Sequence, residues 1–220
     1  MLENLYNYIQ VDPSSRITVT EVIHEIRWTD LDGDVTGYVY CDKGANHFGG
    51  DFEHKFEMQF SNCENGCLTA HWLLANDIMD FYAMSNGGKD GHFLYEYDDN
   101  ERLEFGTLED GVRQQDEWPA TAPLPSTTYF ITITRNDDGG ANNTGLLTCL
   151  ICTGNYSDKG GTLKDTLVQD CAAGKQNDFQ YVYAVSSWNT GNADRNADGL
   201  TQNLDLGEIN AILSRRLEGY

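Results

Sequence analysis

The sequence predicts an all-β protein built as a two-sheet antiparallel sandwich or barrel. Three observations carry this. About a dozen short β-branched or aromatic runs recur at roughly even spacing, each bounded by Asn, Asp or Gly. No segment before the last fifteen residues has the periodicity of a helix. Asp51–Phe60, DFEHKFEMQF, alternates strictly over ten residues, with Phe52, His54, Phe56, Met58 and Phe60 on one side and Asp51, Glu53, Lys55, Glu57 and Gln59 on the other. A half-buried antiparallel strand requires that pattern, and a helix would scramble it.

In chain order, Arg16–Trp28 (RITVTEVIHEIRW) is β-branched and alternating, one strand that bends or two joined tightly. Asp30–Asp34 (DLDGD) is a carboxylate-rich turn and Val35–Cys41 the next strand. The loop DKGANHFGG follows, its glycines free to take unusual backbone angles before Asp51–Phe60. Strands are then expected at Cys67–Ala75, Met79–Met84, His92–Tyr97 and Arg102–Phe105. Residues 107–127 are poorly periodic and hold every proline except Pro13, which reads as a long surface loop. Strands resume at Thr128–Arg135, Gly145–Thr153, Thr162–Val168 and Phe179–Ser186.

A chain of 220 residues, 40% hydrophobic, can fill one large β domain without staples. Its 14 basic against 35 acidic residues give a net charge of -21, which repels phosphate backbones and anionic membranes and excludes nucleic acid as a partner. There is no run of about 18 apolar residues to insert into a membrane, and the N-terminus lacks the basic and apolar regions of a signal peptide. Cys63 and Cys67 bracket Glu-Asn-Gly between two strand-like runs, the setting of a small hairpin disulfide. Cys149 and Cys152 form a CxxC, but on a strand that spacing sends the two side chains to opposite faces and denies them a shared metal.

Most aromatics of such a fold are core. Trp118 and Trp188 stand apart because each lies in a polar stretch, EWPAT and SSWNTGN, and with Tyr95 they are candidates to stack on a sugar face. Glu53, Lys55 and Glu57 share the polar face of the central strand and are candidate ligand contacts. No HxH or HExxH cluster supports a transition metal, and His54, on the apolar face, reads as a hydrogen-bonded core residue.

The succession VDPSSRITVT, YVYCDKGANHFGGDFEH, TRND, YVYAVSSWNTG and NLDLGE resembles the concanavalin A-like, laminin G-like jelly rolls over roughly residues 10–208. That resemblance implies two curved antiparallel sheets, glycans bound on the concave face or at loop edges and, in some relatives, a structural calcium. Glu53-His54-Lys55-Phe56-Glu57 is similar to the Glu-x-Asp-x-Glu strand of sandwich-fold glucanases, with lysine in place of the central aspartate. A lysine there favours both ionised carboxylates and spoils the acid that a retaining glycosidase needs.

Asp194, Asn196, Asp198, Gln202 and Asp205 fall at positions 1, 3, 5, 9 and 12 of a twelve-residue loop with Gly199 at position 6, and residues 206–217 follow with helical spacing. This resembles one half of a dockerin, and implies calcium at Asp194, Asn196, Asp198 and Asp205. The competing reading makes Leu200–Glu208 the closing strand of the jelly roll, since losing it would bare an apolar edge. Asp30, Asp32 and Asp34 form a second acidic group.

The expectation is a jelly-roll sandwich over residues 1–208 with a tail or short helix over 209–220. It is expected to recognise a glycan without cleaving it, with calcium steadying its loops, and to work outside the cell or on a virion or cell surface, alone or in a homo-oligomer. A structural subunit of a virion or filament is the alternative. A hydrolase or lyase acting through Glu53, Glu57 and Lys55 is the third.

Overall fold

The computed structural model describes residues 1–31, 33–64, 66–97, 102–118, 125–141, 144–175 and 178–207. Two seven-stranded antiparallel sheets face one another, as expected. Strands β1 (Ile9–Val11), β2 (Ile17–Thr20), β3 (Glu25–Trp28), β4 (Tyr38–Asp42), β5 (Phe52–Glu64), β6 (Leu68–Ala75) and β7 (Gly91–Tyr97) come first. Then follow β8 (Arg102–Glu109), β9 (Val112–Trp118), β10 (Tyr129–Asn136), β11 (Leu146–Thr153), β12 (Thr162–Asp170), β13 (Tyr181–Ser186) and β14 (Asn196–Asp205). One sheet runs β12-β11-β10-β5-β14-β3-β2 and the other β1-β4-β13-β6-β7-β8-β9.

The thirteen-residue β5 lies at the centre of the first sheet, between β10 and β14. Phe52, His54, Phe56, Met58 and Phe60 point into the core as their alternation requires, while Glu53, Lys55, Glu57 and Gln59 stay on the outer face. Across the gap Trp72, Leu94, Phe105 and Val182 complete the interior. Two polar residues sit inside it as a pair: Trp72 Nε1 donates to His54 Nδ1 at 3.1 Å, joining the two sheets. Burial holds the His54 imidazole down to about 3, so it is neutral at any ordinary pH and accepts the indole proton.

Gly199 of β14 lies under the Trp28 ring of β3. It pairs with Trp28 on one side and Phe60 on the other. A Cβ there would lie 2.6 Å from the Trp28 ring and 2.8 Å from the Gln59 carbonyl, so only glycine lets the indole lie flat on the strand.

Arg16–Trp28 takes the second of its two expected forms: two strands, β2 and β3, joined through a 3-10 turn at Glu21–Ile23 with His24 in the left-handed region at φ 50°. Two expectations are corrected. Met79–Met84 is no strand: Phe81–Asn86 forms a helix, α1, whose N-cap Asp80 accepts from Ala83 N at 2.9 Å. The cap and the Gly87-Gly88 stop outweigh the strand propensity of DFYAM. Part of the supposed loop at 107–127 is β9, an edge strand wet on most positions, so it carries no apolar alternation to read.

Residues 196–205 form a strand and not a calcium loop. The expected C-terminal helix lies outside the described residues. At both flanks the sheets are tied by side chains. Asp116 of β9 accepts from Val168 N of β12 at 2.9 Å, and beside β1 Asp12 accepts from Ile17 N at 2.7 Å while Gln10 donates to Ile17 O at 2.8 Å.

Replacing Gly199 with alanine overpacks Trp28 and should cost about 2 kcal/mol. Urea melts of wild type and Gly199→Ala would show it, and an unchanged midpoint would mean that the β3–β14 contact yields without strain.

Candidate functional site

The second sheet carries an apolar cluster on its outer face as well as its inner one. Tyr38, Tyr40, Leu73, Phe93, Tyr95 and Tyr183 are buried there, and α1 covers part of the patch through Phe81, 5.2 Å from Phe93 and 5.7 Å from Tyr95. Ser186 accepts from Phe81 N at 2.9 Å, which docks the start of the helix on the end of β13. The chain leaving β13 then brings Trp188 edge-on against Phe81 at 5.1 Å and Tyr82 at 5.2 Å.

Beyond the helix, β7, β8 and β9 present a polar strip. The register sets Tyr95, Glu104 and Glu117 in one cross-strand row, and Tyr97 beside Arg102 in the next. Tyr95 Oη donates to Glu104 and accepts from Arg113 Nη1 at 2.6 Å. Arg102 lies with Nε 2.7 Å from Glu104 and donates through Nη1 to Glu117 at 3.0 Å. The guanidinium of Arg102 covers the Tyr97 ring at 4.7 Å, and that of Arg113 sits 5.1 Å from Trp188 and 5.4 Å from Tyr95. Burial pushes the Glu104 carboxyl up to about 7, against the pull of Arg113 and with repulsion from Glu117 adding to it.

This strip offers part-exposed flat rings at Tyr82, Tyr97 and Trp188, guanidinium donors at Arg102 and Arg113, and a half-exposed acceptor at Glu117. Such a mixture suits a ligand with apolar C–H faces and many hydroxyls. Beside Trp188, Cys67, Thr69 and Arg195 line a cleft too narrow to hold a water molecule.

Of the residues singled out from sequence, the structure brings Trp188 and Tyr95 together here, Trp188 part-exposed and Tyr95 fully covered. Trp118 is not at a rim: it is 5% exposed, packed edge-on against Tyr129 at 5.4 Å, because β9 turns it inward at the end of the sheet. Glu53, Lys55 and Glu57 lie on the outer face of the other sheet. Lys55 bonds Asp158 at 2.9 Å and Glu53 at 3.1 Å, whereas Glu57 accepts from Asn203 Nδ2 at 2.9 Å. Burial works against the Lys55 ammonium, but those two bonds offset it and push the group up. Sequence reading missed Arg102, Arg113, Glu104 and Glu117. The charge alternation of RLEF and VRQQDEW is their only signal.

The four expected calcium ligands do not assemble. Asp205 is separated from Asn196 by a strand of about 30 Å and binds the N-terminal ammonium at 2.8 Å. Asp194 is exposed in the preceding turn. Asn196 and Asp198 do meet Asp30: Asp198 accepts from Asp30 N at 2.7 Å and Asn196 Nδ2 donates to Asp30 at 3.2 Å. Arg16 already pairs with Asp30 at 3.2 Å. Among the described residues that is three oxygen-bearing side chains beside a guanidinium, against the six to eight donors calcium takes. The set does not fit the ion. Asp32 lies outside the described residues, and Asp34 is exposed.

Glu104 sets a pH test. Its native pKa lies above the unfolded one, so it contributes stability that is full below about pH 4.5 and lost as pH rises through 7. Glu104→Gln abolishes that titration. Between pH 5 and 8 the wild type's advantage over Glu104→Gln should therefore shrink by about 1–2 kcal/mol, allowing for solvent screening. Parallel stability curves in urea melts would contradict it.

No family model matches the chain, and no curated protein does. Solved structures match over nearly its whole length at low identity. A legume lectin-like domain from Entamoeba histolytica superposes with a TM-score of 0.53 at 15% identity, over 93% of this chain and 91% of that one. The exoplasmic/lumenal domain of VIP36, in a form bound to Ca2+ and Man3GlcNAc, gives 0.54 at 12% identity, over 93% and 89%. The carbohydrate-binding module CBM66 from Bacillus subtilis gives 0.50 at 13%, over 89% and 92%. At these identities the likeness is one of architecture: the chain is folded as a legume lectin-like sandwich.

Proposed function

We propose that this protein is a non-catalytic carbohydrate-binding module whose site is the strip formed by β7, β8, β9 and Trp188. The observation that carries this is the part-exposed Trp188 ring, held by Phe81 and Tyr82 and flanked by the Arg113 guanidinium, beside a row of charged side chains already fixed by one another. Rings and hydrogen-bonding groups held in place before the ligand arrives lose little entropy on binding. Proteins of the same architecture, VIP36 bound to Man3GlcNAc and the carbohydrate-binding module CBM66 among them, support the class of ligand.

Binding is favoured over cleavage by the state of the carboxylates. Within the strip the group pushed toward an acid's pKa is Glu104, yet it is 1% exposed and held by Tyr95 and Arg102, out of reach of a glycosidic oxygen. On the other sheet Glu53 is neutralised by Lys55. The strip is read as binding without calcium, since the guanidinium groups of Arg102 and Arg113 at its surface repel a cation. An oxidising, extracytoplasmic setting suits the Cys63–Cys67 disulfide.

A glycan array with and without EDTA tests the reading, followed by titration of the best hit. Binding to one class of glycan should appear in both arms and weaken at least tenfold in Trp188→Ala, consistent with the loss of one stacked ring, while Glu53→Gln leaves it unchanged. Absence of binding would overturn the proposal. Loss in Glu53→Gln with Trp188→Ala unaffected would place the site on the other sheet.

A further inference from the structure

The hairpin joining β5 to β6 closes over a buried carboxylate that has one oxygen to spare. Cys63 and Cys67 are joined as a disulfide with Cα atoms 5.6 Å apart. Glu96, on the inner face of β7 and paired with Thr69, brings a carboxylate oxygen to within 4.8 Å of both sulfurs. Glu96 is 2% exposed. Its Oε2 meets His71 Nε2 at 3.1 Å, and its Oε1 has no hydrogen-bond partner. An unpartnered carboxylate oxygen in a β-sandwich interior is costly unless another state of the protein uses it.

We infer that the dithiol form of this hairpin is a site for a zinc-class divalent cation, with Cys63, Cys67 and Glu96 as its three protein ligands. Two thiolates four residues apart across a turn and one carboxylate form a donor set that Zn2+ accepts, and a tetrahedral ion at ordinary bond lengths holds its ligands about 3.5 Å apart. Reduction lets the sulfurs move from bonding distance to that separation without moving the strands. His71 then acts as a positioning residue: it keeps Oε2 and leaves Oε1 to the metal. Trp28 packs against His71 at 4.8 Å and holds the imidazole in place. Arg195 lines the same wall as Cys67 and Trp188 and balances the extra negative charge.

The chemistry balances. A dithiol reductant gives two electrons and two protons to the Cys63–Cys67 bond and leaves as its own disulfide, producing two thiols. The cation then replaces the two thiol protons, which go to solvent, and water fills the fourth position. Disulfide and metal are thus alternative ways of closing one turn, and only the second uses Glu96 Oε1.

The test is titration of the full chain with Co2+ alone, after anaerobic reduction and removal of the reductant, followed by visible absorption and by proton release in weak buffer. One equivalent should bind with a thiolate-to-cobalt charge-transfer band and release two protons per chain. The oxidised chain should show neither. Glu96→Gln should weaken binding at least tenfold. Because that variant alters a buried pair, alkylation of the wild type followed by mass spectrometry gives an independent reading: Zn2+ should protect Cys63 and Cys67. The inference is overturned if the reduced chain binds no Co2+, if binding survives Cys63→Ser/Cys67→Ser, or if Zn2+ leaves both thiols open to alkylation. Undiminished binding by a folded Glu96→Gln would remove the carboxylate from the ligand set and overturn it as well.

Discussion

The hydrogen bond from Trp72 to His54 is the contact on which the packing of the two sheets rests. Stacked sheets held by apolar side chains alone can slide, because hydrophobic contact has no direction. A buried donor and acceptor that are each other's partners do not slide without leaving a polar atom unsatisfied. Phe52 stacks on the His54 ring at 4.3 Å and Phe48 meets it edge-on, so the imidazole is fixed from its own sheet before it receives the indole proton. The aromatic interior of β5 follows from that anchor.

The same logic separates the two outer faces. The outer face of the first sheet is solvated and its charges pair locally, as Lys55 does with Glu53 and Asp158. That of the second sheet is too apolar to be left in water, and the chain covers most of it with α1 and the segment after β13. What the cover leaves open is the polar strip. The proposed site is therefore the uncovered remainder of an otherwise buried face, which explains why rings and charges meet there.

How much of this was legible in the sequence follows from burial. β5 was readable because one side of it is buried and the other wet, and the two-sheet class followed. β9 was not, since an edge strand facing water on most positions has no apolar period. α1 was hidden by aromatic residues that favour strands in isolation but here serve a helix capped by Asp80. Trp188 is part-exposed as its polar neighbours imply, and the same argument failed for Trp118, whose flanking EWPAT says nothing of the inward turn at the end of β9. Arg102, Arg113, Glu104 and Glu117 depend on strand register, a long-range property that no local pattern encodes. The calcium expectation failed likewise: a spacing suited to a loop was laid along an extended strand.

The ties at the flanks, Asp116 to Val168 and Asp12 with Gln10 to Ile17, have a consequence for how molecules of this protein meet. A free strand edge invites a neighbour to extend the sheet, and here the exposed backbone groups at those positions are already taken by side chains of the facing sheet. An incoming strand would have to release them first and strand a carboxylate beside its own backbone. Even at high concentration, growth by adding strands at these points is opposed by the native bonds themselves.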